Sequence, residues 1–166
     1  MRNDRESIIK ILIKNMQQEI SCLEEIYVQI EPLIKKVEVA KEEEKVFYNR
    51  AAGSILHDFY TGIEKIFCDI ANKMDKIIPS GEDWHIKLLK SMAEPKRGRP
   101  QVISGDSMEE LKEYLGFRHL FRNIYGAQLD WVKLKFLLSK IQENLWMKLK
   151  AEFNLFINKI EDKGKL

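Results

Sequence analysis

The sequence is poor in cysteine and contains no long apolar run. Its 166 residues include two cysteines, Cys22 and Cys68, in no spacing that suits a multi-bridge disulfide scaffold or a structural zinc site. No apolar run approaches the roughly 20 residues that a membrane-spanning helix needs, and the first residues lack the layout of a signal peptide. We therefore expect a soluble cytoplasmic protein with two buried free thiols, no metal, no cofactor and no membrane partner.

An excess of charge of one sign is also lacking. The chain has 28 Lys and Arg against 26 Asp and Glu, which gives a net charge of +2. This balance excludes binding to nucleic acid through bulk positive charge, although a local basic patch is compatible with it. Apolar residues make up 45% of the chain, which is typical of a folded domain rather than a disordered one. We predict a single domain over residues 1–166, able to bury roughly 70% of its unfolded surface.

Glycine and proline, the residues that most often interrupt regular structure, are scarce, with 8 and 4 copies. Apolar residues instead recur at steps of three or four, which predicts long helices. The first pattern runs through residues 9–37, and Pro32 within it predicts a kink. A second pattern covers residues 55–77, and a long last helix covers residues 134–160. No segment shows the alternation of a strand.

Polar residues at the expected helix ends predict two further helices. Ser80 is placed to cap a short third helix, and Ser107 opens a capping box for a fourth helix. Gly126 predicts the end of that fourth helix, and Asp130 predicts the cap of the last one. The fold class is thus all-α, a bundle of four principal helices and one short helix.

The segment 117–125, FRHLFRNIY, has an unusual polar face. In a helical projection its apolar side chains share one side and its polar side chains share the other. The polar residues are Arg118, His119, Arg122, Asn123 and Tyr125. Because the segment contains no Glu or Asp, its arginines have no partner on their own helix, which suits an anionic ligand. The alternative interpretation is an ordinary solvated helix face.

Three blocks of the sequence stand out, namely HDFYTGIEKIF (57–67), PSGEDWHIKLLKSM (79–92) and GFRHLFRNIYGAQLDWVKL (116–134). Together they resemble HepT-like toxins of the HEPN superfamily, and the region of resemblance covers residues 46–140. The last block resembles the family motif Arg-x-x-x-x-His-x-Tyr. Arg118 matches the arginine, His119 matches the polar residue that usually follows it, and Tyr125 matches the tyrosine. Asn123 stands where the motif has histidine.

The resemblance implies a HEPN-type bundle that pairs as a homodimer or a higher even oligomer, with two motif helices at one cleft. It further implies a metal-independent ribonuclease that acts on RNA. Its partner would be a minimal nucleotidyltransferase antitoxin, which silences the toxin by transferring AMP to the motif tyrosine, here Tyr125. The catalytic candidates are Arg118, which would stabilise charge on the phosphate, with Asn123 and His119. Arg122 is a candidate RNA contact.

The asparagine at position 123 leaves several functions open. Asn does not titrate near neutral pH, and loss of a general acid–base group costs ~10²–10⁴ in rate. His119, one turn earlier on the same face, could take over proton transfer, or cleavage could continue slowly through Arg118 and positioning. Alternatively, the chain is a non-catalytic binding or substrate subunit of a nucleotidyltransferase, or a helical scaffold without an active site. The sequence alone leaves open whether the chain is an enzyme.

The run 96–99, KRGR, within the loop 94–106 is basic. Lys96, Arg97 and Arg99 are candidate contacts for the RNA backbone, which would add affinity that depends on salt but not on base sequence. The alternative is a solvated basic loop.

Two further histidines are expected to be structural. Trp84 is expected to anchor the short helix in the core, with His85 making a local hydrogen bond. His57 lies beside Asp58, and the block around it predicts Phe59 and Tyr60 as core residues.

Overall fold

The computed structural model describes residues 2–124 and 128–164, and this part of the chain is helical with no strand. Seven α-helices follow in chain order. They are α1 (Arg2–Tyr27), α2 (Ile30–Val39), α3 (Glu42–Ile70), α4 (Trp84–Met92), α5 (Gly105–Phe121), α6 (Trp131–Lys140) and α7 (Trp146–Gly164). A two-residue turn, Val28–Gln29, separates α1 from α2, and α6 continues into α7 through a π-helical turn. The described residues thus confirm the predicted all-α bundle, in which α4 is the short helix.

The interruption predicted at Pro32 occurs before that residue. The helix breaks at Val28–Gln29, and Pro32 is the third residue of α2. A proline ring clashes with the carbonyl four residues earlier, which is that of Val28, so the helix gives way there. Within the first turn of α2 the missing N–H of Pro32 removes no intrahelical bond. The apolar pattern survives the break, since Met16 and Ile30 on either side are both buried.

The core is built around α3, which packs against α1, α2, α4, α5 and α6. The acidic residues at positions 42–44 form the first turn of α3. The Glu44 carboxylate caps this turn, because it accepts a hydrogen bond from the backbone N–H of Lys41 at 3.0 Å. The residues of α3 that lie in the core are mostly large and apolar, namely Ala52, Leu56, Phe59, Tyr60, Ile63, Ile66, Phe67 and Ile70. The predicted core positions Phe59 and Tyr60 are therefore confirmed.

Two predicted helix starts need correction, and one is confirmed. The short helix α4 begins at Trp84 rather than next to Ser80. The helix α5 is capped by Ser104, whose hydroxyl accepts a hydrogen bond from the N–H of Ser107 at 3.1 Å. Ser107 itself lies inside the helix and is buried. Asp130 caps α6 as predicted, since its carboxylate accepts from the N–H of Val132 at 2.9 Å. The predicted stop at Gly126 lies outside the described residues.

The end of α5 is held close to α3 by a glycine. A Cβ built on Gly53 would lie 2.6 Å from the ring of Phe121, so only glycine permits this approach of the ring to the α3 backbone. Phe121 is the last residue of α5. The contact therefore fixes where the polar residues at the end of α5 lie relative to α3. No helix in the described ranges is long and apolar enough to cross a membrane.

Candidate functional site

Three polar side chains from three different helices meet between α3, α4 and α5. Nδ1 of His85 lies 2.6 Å from Oε2 of Glu64, and Nε2 of the same ring lies 3.5 Å from Nη1 of Arg118. Nη2 of Arg118 lies 3.4 Å from Oε1 of Glu64, which closes the triangle. The side chains of Glu64, His85 and Arg118 are 8%, 12% and 11% exposed. We call these three residues the Glu–His–Arg cluster.

The His85 ring is held on several sides. Trp84 stacks on it with ring centroids 3.7 Å apart, and Glu64 fixes one of its nitrogens. The prediction for Trp84 holds in part, because its half-buried ring packs against the core. The local hydrogen bond predicted for His85 is wrong, because the ring pairs with Glu64, 21 residues away in the chain.

One polar atom of the cluster and one beside it have no protein partner. Nε of Arg118 and the phenol oxygen of Tyr60 are buried, and neither makes a hydrogen bond. Burial and the Glu64 carboxylate raise the pKa of Tyr60, whereas Arg118 opposes the shift. Buried polar atoms without partners are uncommon in folded proteins, and they often mark a place where a ligand or a water binds. The guanidinium of Arg118 thus retains unused donor capacity.

His119 lies at the rim of the cluster. The residue is exposed, and its ring makes an edge contact with His85 at a centroid distance of 5.3 Å. Partial desolvation of the ring lowers the pKa of His119 from its ordinary value of 6.5. The neighbouring His85 and Arg118 lower it further, and Glu64 acts in the opposite direction. His119 is therefore a titratable group at the solvent edge of the cluster.

The polar face predicted over 117–125 is divided in the structure. The helix ends at Phe121, so the helical projection does not continue to the end of the segment. Arg118 points inward to Glu64, whereas His119 and Arg122 are exposed. Leu120, predicted to face the core, is 53% exposed. Tyr125 lies outside the described residues.

Asn123 interacts with the end of α5. Its Nδ2 donates a hydrogen bond to the backbone carbonyl of His119 at 2.7 Å. The amide thus satisfies one of the carbonyls that the end of a helix leaves without a partner. The structure brings Arg118 and His119 together with His85, and it places the Asn123 amide on the backbone.

The basic loop is organised by a buried ion pair. Arg99 is fully buried, and its guanidinium makes five hydrogen bonds, two of them to the carboxylate of Asp75 at 2.6 and 3.0 Å. Because all five donors are used, Arg99 is structural, and its prediction as an RNA contact is corrected on this ground. Lys96 also binds Asp75, at 3.0 Å, and Arg97 is exposed. Asp75 lies eleven residues beyond Glu64, at the end of the π-helical turn (Ala71–Asp75) that follows α3, so this loop is roughly three helical turns from the cluster.

The remaining candidates lie outside the cluster. Nδ1 of His57 is 3.1 Å from Oδ1 of Asp58, and the ring contacts Phe121, which agrees with a structural role. Both cysteines are free, but Cys22 is exposed and Cys68 is only partly buried, so the expectation of two buried thiols is wrong for Cys22. Among the described residues no group of three or more histidine, cysteine or carboxylate side chains could hold a metal ion.

Glu64 and His85 are site residues that were not predicted from the sequence. Glu64 is the one acidic residue on the buried part of α3, next to Ile63 and one turn after Tyr60. A charged residue on such an apolar face needs a buried partner, and this is the signal that could have identified it. His85 could have been identified as that partner only through the three-dimensional contact.

The fold and the site together define an all-α bundle with a buried glutamate–histidine–arginine cluster at the junction of three helices. A family model described as HepT-like protein matches residues 51–160, about two thirds of the chain, and this range contains the whole cluster. The chain therefore belongs to the HepT-like family, as the resemblance predicted. No curated protein and no solved structure matches the chain.

Proposed function

We propose that the chain is the toxin of a HepT-like toxin–antitoxin pair, a ribonuclease that cleaves RNA without a metal ion. Membership of the family supports this function, and so does the position of the motif arginine. Arg118 lies beside the ring of His85, which in turn contacts the ring of His119. Cleavage of RNA through the ribose 2′-OH needs a cation for the phosphate and groups that move protons, and this site contains both.

The observation that carries the proposal is a contrast between two inward-facing arginines. Arg99 is saturated with short hydrogen bonds, whereas Nε of Arg118 has no partner. The contacts of Arg118 with Glu64 and His85, at 3.4 and 3.5 Å, are longer than the roughly 2.7–2.9 Å of a well-formed charge-assisted hydrogen bond. A guanidinium that is held loosely and has unused donors is suited to binding phosphate.

The other residues have supporting roles in this proposal. His119 transfers protons at the rim, which Asn123 does not do because its amide does not titrate near neutral pH. Arg122 and the exposed loop residue Arg97 contact the RNA backbone. A homodimer or higher even oligomer brings a second copy of Arg118 to the same cleft.

Silencing by a partner nucleotidyltransferase belongs to the same proposal. The enzyme transfers AMP from ATP to the phenol oxygen of Tyr125, and pyrophosphate leaves. Arg122, three residues before Tyr125, is exposed and can donate hydrogen bonds to the negatively charged phosphate of the attached AMP. The AMP group would then block the approach of RNA to Arg118 by its bulk and by its charge.

A non-catalytic function is the second candidate, and the contact of Asn123 favours it. The residue at the motif histidine position binds the backbone of His119 and therefore contributes no proton transfer. In this case the chain would present Tyr125 to the nucleotidyltransferase and would not cut RNA. The two functions make opposite predictions for RNA cleavage.

The test of the proposed function is RNA cleavage by the purified chain in the presence of EDTA. We expect cleavage by the wild type and a loss of ~10²-fold or more in Arg118→Ala, because an oxyanion-stabilising group is removed. Arg50→Ala, which removes an exposed arginine of α3, is the matched control and should cleave at the wild-type rate. Equal cleavage by the Arg118 and Arg50 variants would refute the role of Arg118. No cleavage, together with AMP transfer to the chain, would support the non-catalytic function.

The AMP transfer has its own experiment. The chain is incubated with a minimal nucleotidyltransferase encoded beside it, ATP and magnesium, and the modified peptide is identified by mass spectrometry. Tyr125→Phe should abolish the modification, and Tyr48→Phe, a change at a tyrosine of α3, should leave it intact. Modification that persists in Tyr125→Phe would place the acceptor elsewhere.

A further inference from the structure

We propose that His85 is the general base of this ribonuclease and that Glu64 is the positioning residue that orients its ring. The inference rests on the ribonuclease activity proposed above and identifies which side chain replaces the titratable residue missing at Asn123. It assigns a catalytic function to a residue of α4 that lies 38 positions away from Asn123 in the chain.

The contacts of His85 specify which nitrogen is the acceptor. The carboxylate of Glu64 can only accept, so Nδ1 of His85, at 2.6 Å, carries the hydrogen of that bond. Arg118 can only donate, so the 3.5 Å contact with Nε2 is a hydrogen bond when Nε2 presents a lone pair. Together the two neighbours favour the neutral tautomer with its basic nitrogen directed at Arg118. The guanidinium that would bind the phosphate thus lies beside the basic nitrogen.

The surroundings of His85 differ from those of the other histidine with a carboxylate neighbour. His57 contacts the exposed Asp58, its own neighbour in sequence, at 3.1 Å, and lies outside the cluster. His85 is bound by a residue of another helix and is covered by the Trp84 ring. A base whose position is fixed by packing and by a second hydrogen bond needs little reorganisation during the reaction.

The proposed reaction is a transesterification within the RNA strand. The phosphate takes the donors of Arg118, which releases Nε2 of His85 to the neighbouring ribose. The proton of the 2′-OH passes to Nε2, the 2′-oxygen forms a bond to phosphorus, and the bond between phosphorus and the 5′-oxygen breaks. The leaving 5′-oxygen takes a proton from the protonated ring of His119 at the exposed rim. The products are a 2′,3′-cyclic phosphate and a 5′-hydroxyl, and proton exchange with water restores both rings.

The mechanism predicts that the cleavage rate falls as the pH rises. The leaving 5′-oxygen needs the protonated ring of His119, so the rate falls as His119 loses its proton. The groups that face this ring are Glu64 from α3, His85 from α4, Arg118 from α5, and Arg122 from the following turn. Since the pKa of His119 lies below its ordinary value, the decline should begin below about pH 6.5.

The test uses single-turnover cleavage of a single-stranded oligoribonucleotide in EDTA, with the cyclic phosphate as the measured product. His85→Ala should cleave ~10²–10⁴-fold more slowly and should regain part of its rate when imidazole is added. His119→Ala should instead lose the decline of the rate at high pH. His57→Ala is the matched control and should retain the rate and the profile of the wild type.

Two further variants separate chemistry from folding. His85→Asn keeps a donor for Glu64 in place of Nδ1 and lacks the basic nitrogen, so it should fold and should still be inactive. Glu64→Gln keeps an acceptor for Nδ1 and should cleave faster than Glu64→Ala, which is the rescue expected of a positioning residue. By proton NMR the wild type should show a downfield Nδ1 proton of His85 that Glu64→Ala lacks, whatever the activity.

The outcomes distinguish this inference from the proposed function. If the wild type cleaves and Arg118→Ala does not, but folded His85→Asn retains the wild-type rate, His85 is not the base, and the ribonuclease proposal stands. If the wild type produces no cyclic phosphate, both proposals fail. A downfield proton that persists in Glu64→Ala would refute the positioning role of Glu64.

Discussion

The buried ion pair between Arg99 and Asp75 should be a main determinant of stability. The side chains are 0% and 3% exposed, and Arg99 also donates to the carbonyls of Ser91, Glu94 and Pro100. Asp75→Ala removes three hydrogen bonds to the carboxylate, two from Arg99 and one from Lys96, and leaves a buried guanidinium without a counter-charge. Removing one partner of a buried pair costs about 3–5 kcal/mol. For a domain of this size that cost lowers Tm by about 6–20 °C.

The assay is thermal and urea denaturation followed by circular dichroism at neutral pH. Asp83→Ala is the matched control, because Asp83 pairs with Lys87 at 2.8 Å on the surface and both side chains are more than half exposed. The control should show no measurable change in Tm. The double variant Asp75→Ala/Arg99→Ala should be less destabilised than the sum of its two single variants, because no buried charge is then left alone. Equal Tm values for the Asp75 and Asp83 variants would refute the argument.

The same ion pair predicts a pH dependence. Burial raises the pKa of Asp75, but the hydrogen bonds from Arg99 and Lys96 outweigh burial, so the pKa lies below its ordinary value of 3.8. A carboxyl whose pKa is lower in the folded state stabilises the fold above its unfolded pKa, and this stability is lost as the pH falls through the folded value. The difference in free energy of unfolding between the wild type and Asp75→Ala should therefore be constant near neutral pH and shrink below about pH 4. A difference that shrinks between pH 8 and pH 6 would contradict this assignment.

Three other substitutions test the cleavage rate, the packing of α5 on α3 and the binding of RNA. Asn123→His should raise the RNA cleavage rate by adding a titratable ring, and should lower Tm by a few degrees because the bond to the His119 carbonyl, worth about 0.5–1.5 kcal/mol, is lost. Gly53→Ala should cost about 1–3 kcal/mol in urea denaturation because its methyl group would displace the ring of Phe121, and an unchanged free energy would contradict that close approach. Arg122→Ala should weaken RNA binding, measured by fluorescence anisotropy, and reduce the slope of log affinity against log salt by about one.

The helical fold was predictable because the spacing of apolar residues that specifies each helix is local in the sequence and repeats every three or four residues. The apolar steps along α1 place Ile9, Met16 and Ile20 on one side, and all three are buried. Helix ends were harder to predict, since Ser104 and Ser107 both suit a capping position. Which of them caps α5 depends on the residue at which the backbone of the preceding loop becomes helical. The single domain over residues 1–166 stays a prediction.

The site was only half predictable, because its contacts join distant parts of the chain. The motif segment identified Arg118 and His119, which lie together in sequence. It gave no indication that Arg118 would turn inward, since its partner Glu64 is 54 positions away on another helix. The same reasoning failed for Arg99, which sequence alone cannot distinguish from the exposed Arg97 two positions earlier. In both cases a buried carboxylate decides where the arginine points, namely Glu64 on α3 for Arg118 and Asp75 in the turn after α3 for Arg99.

The pairing of Arg118 with Glu64 also separates the rate of the proposed reaction from the affinity for RNA. Within the cluster the charges of Glu64 and Arg118 cancel, so a dimer that brought two clusters together would gain little net positive charge at the cleft. Long-range attraction for RNA must then come from exposed cations such as Arg122 and Arg97. Arg118 becomes effective when a phosphate competes with Glu64 at short range, and that competition is strongest when charge accumulates on the phosphate in the transition state. Loss of Arg118 should therefore reduce the cleavage rate far more than RNA binding, and loss of Arg122 should do the reverse.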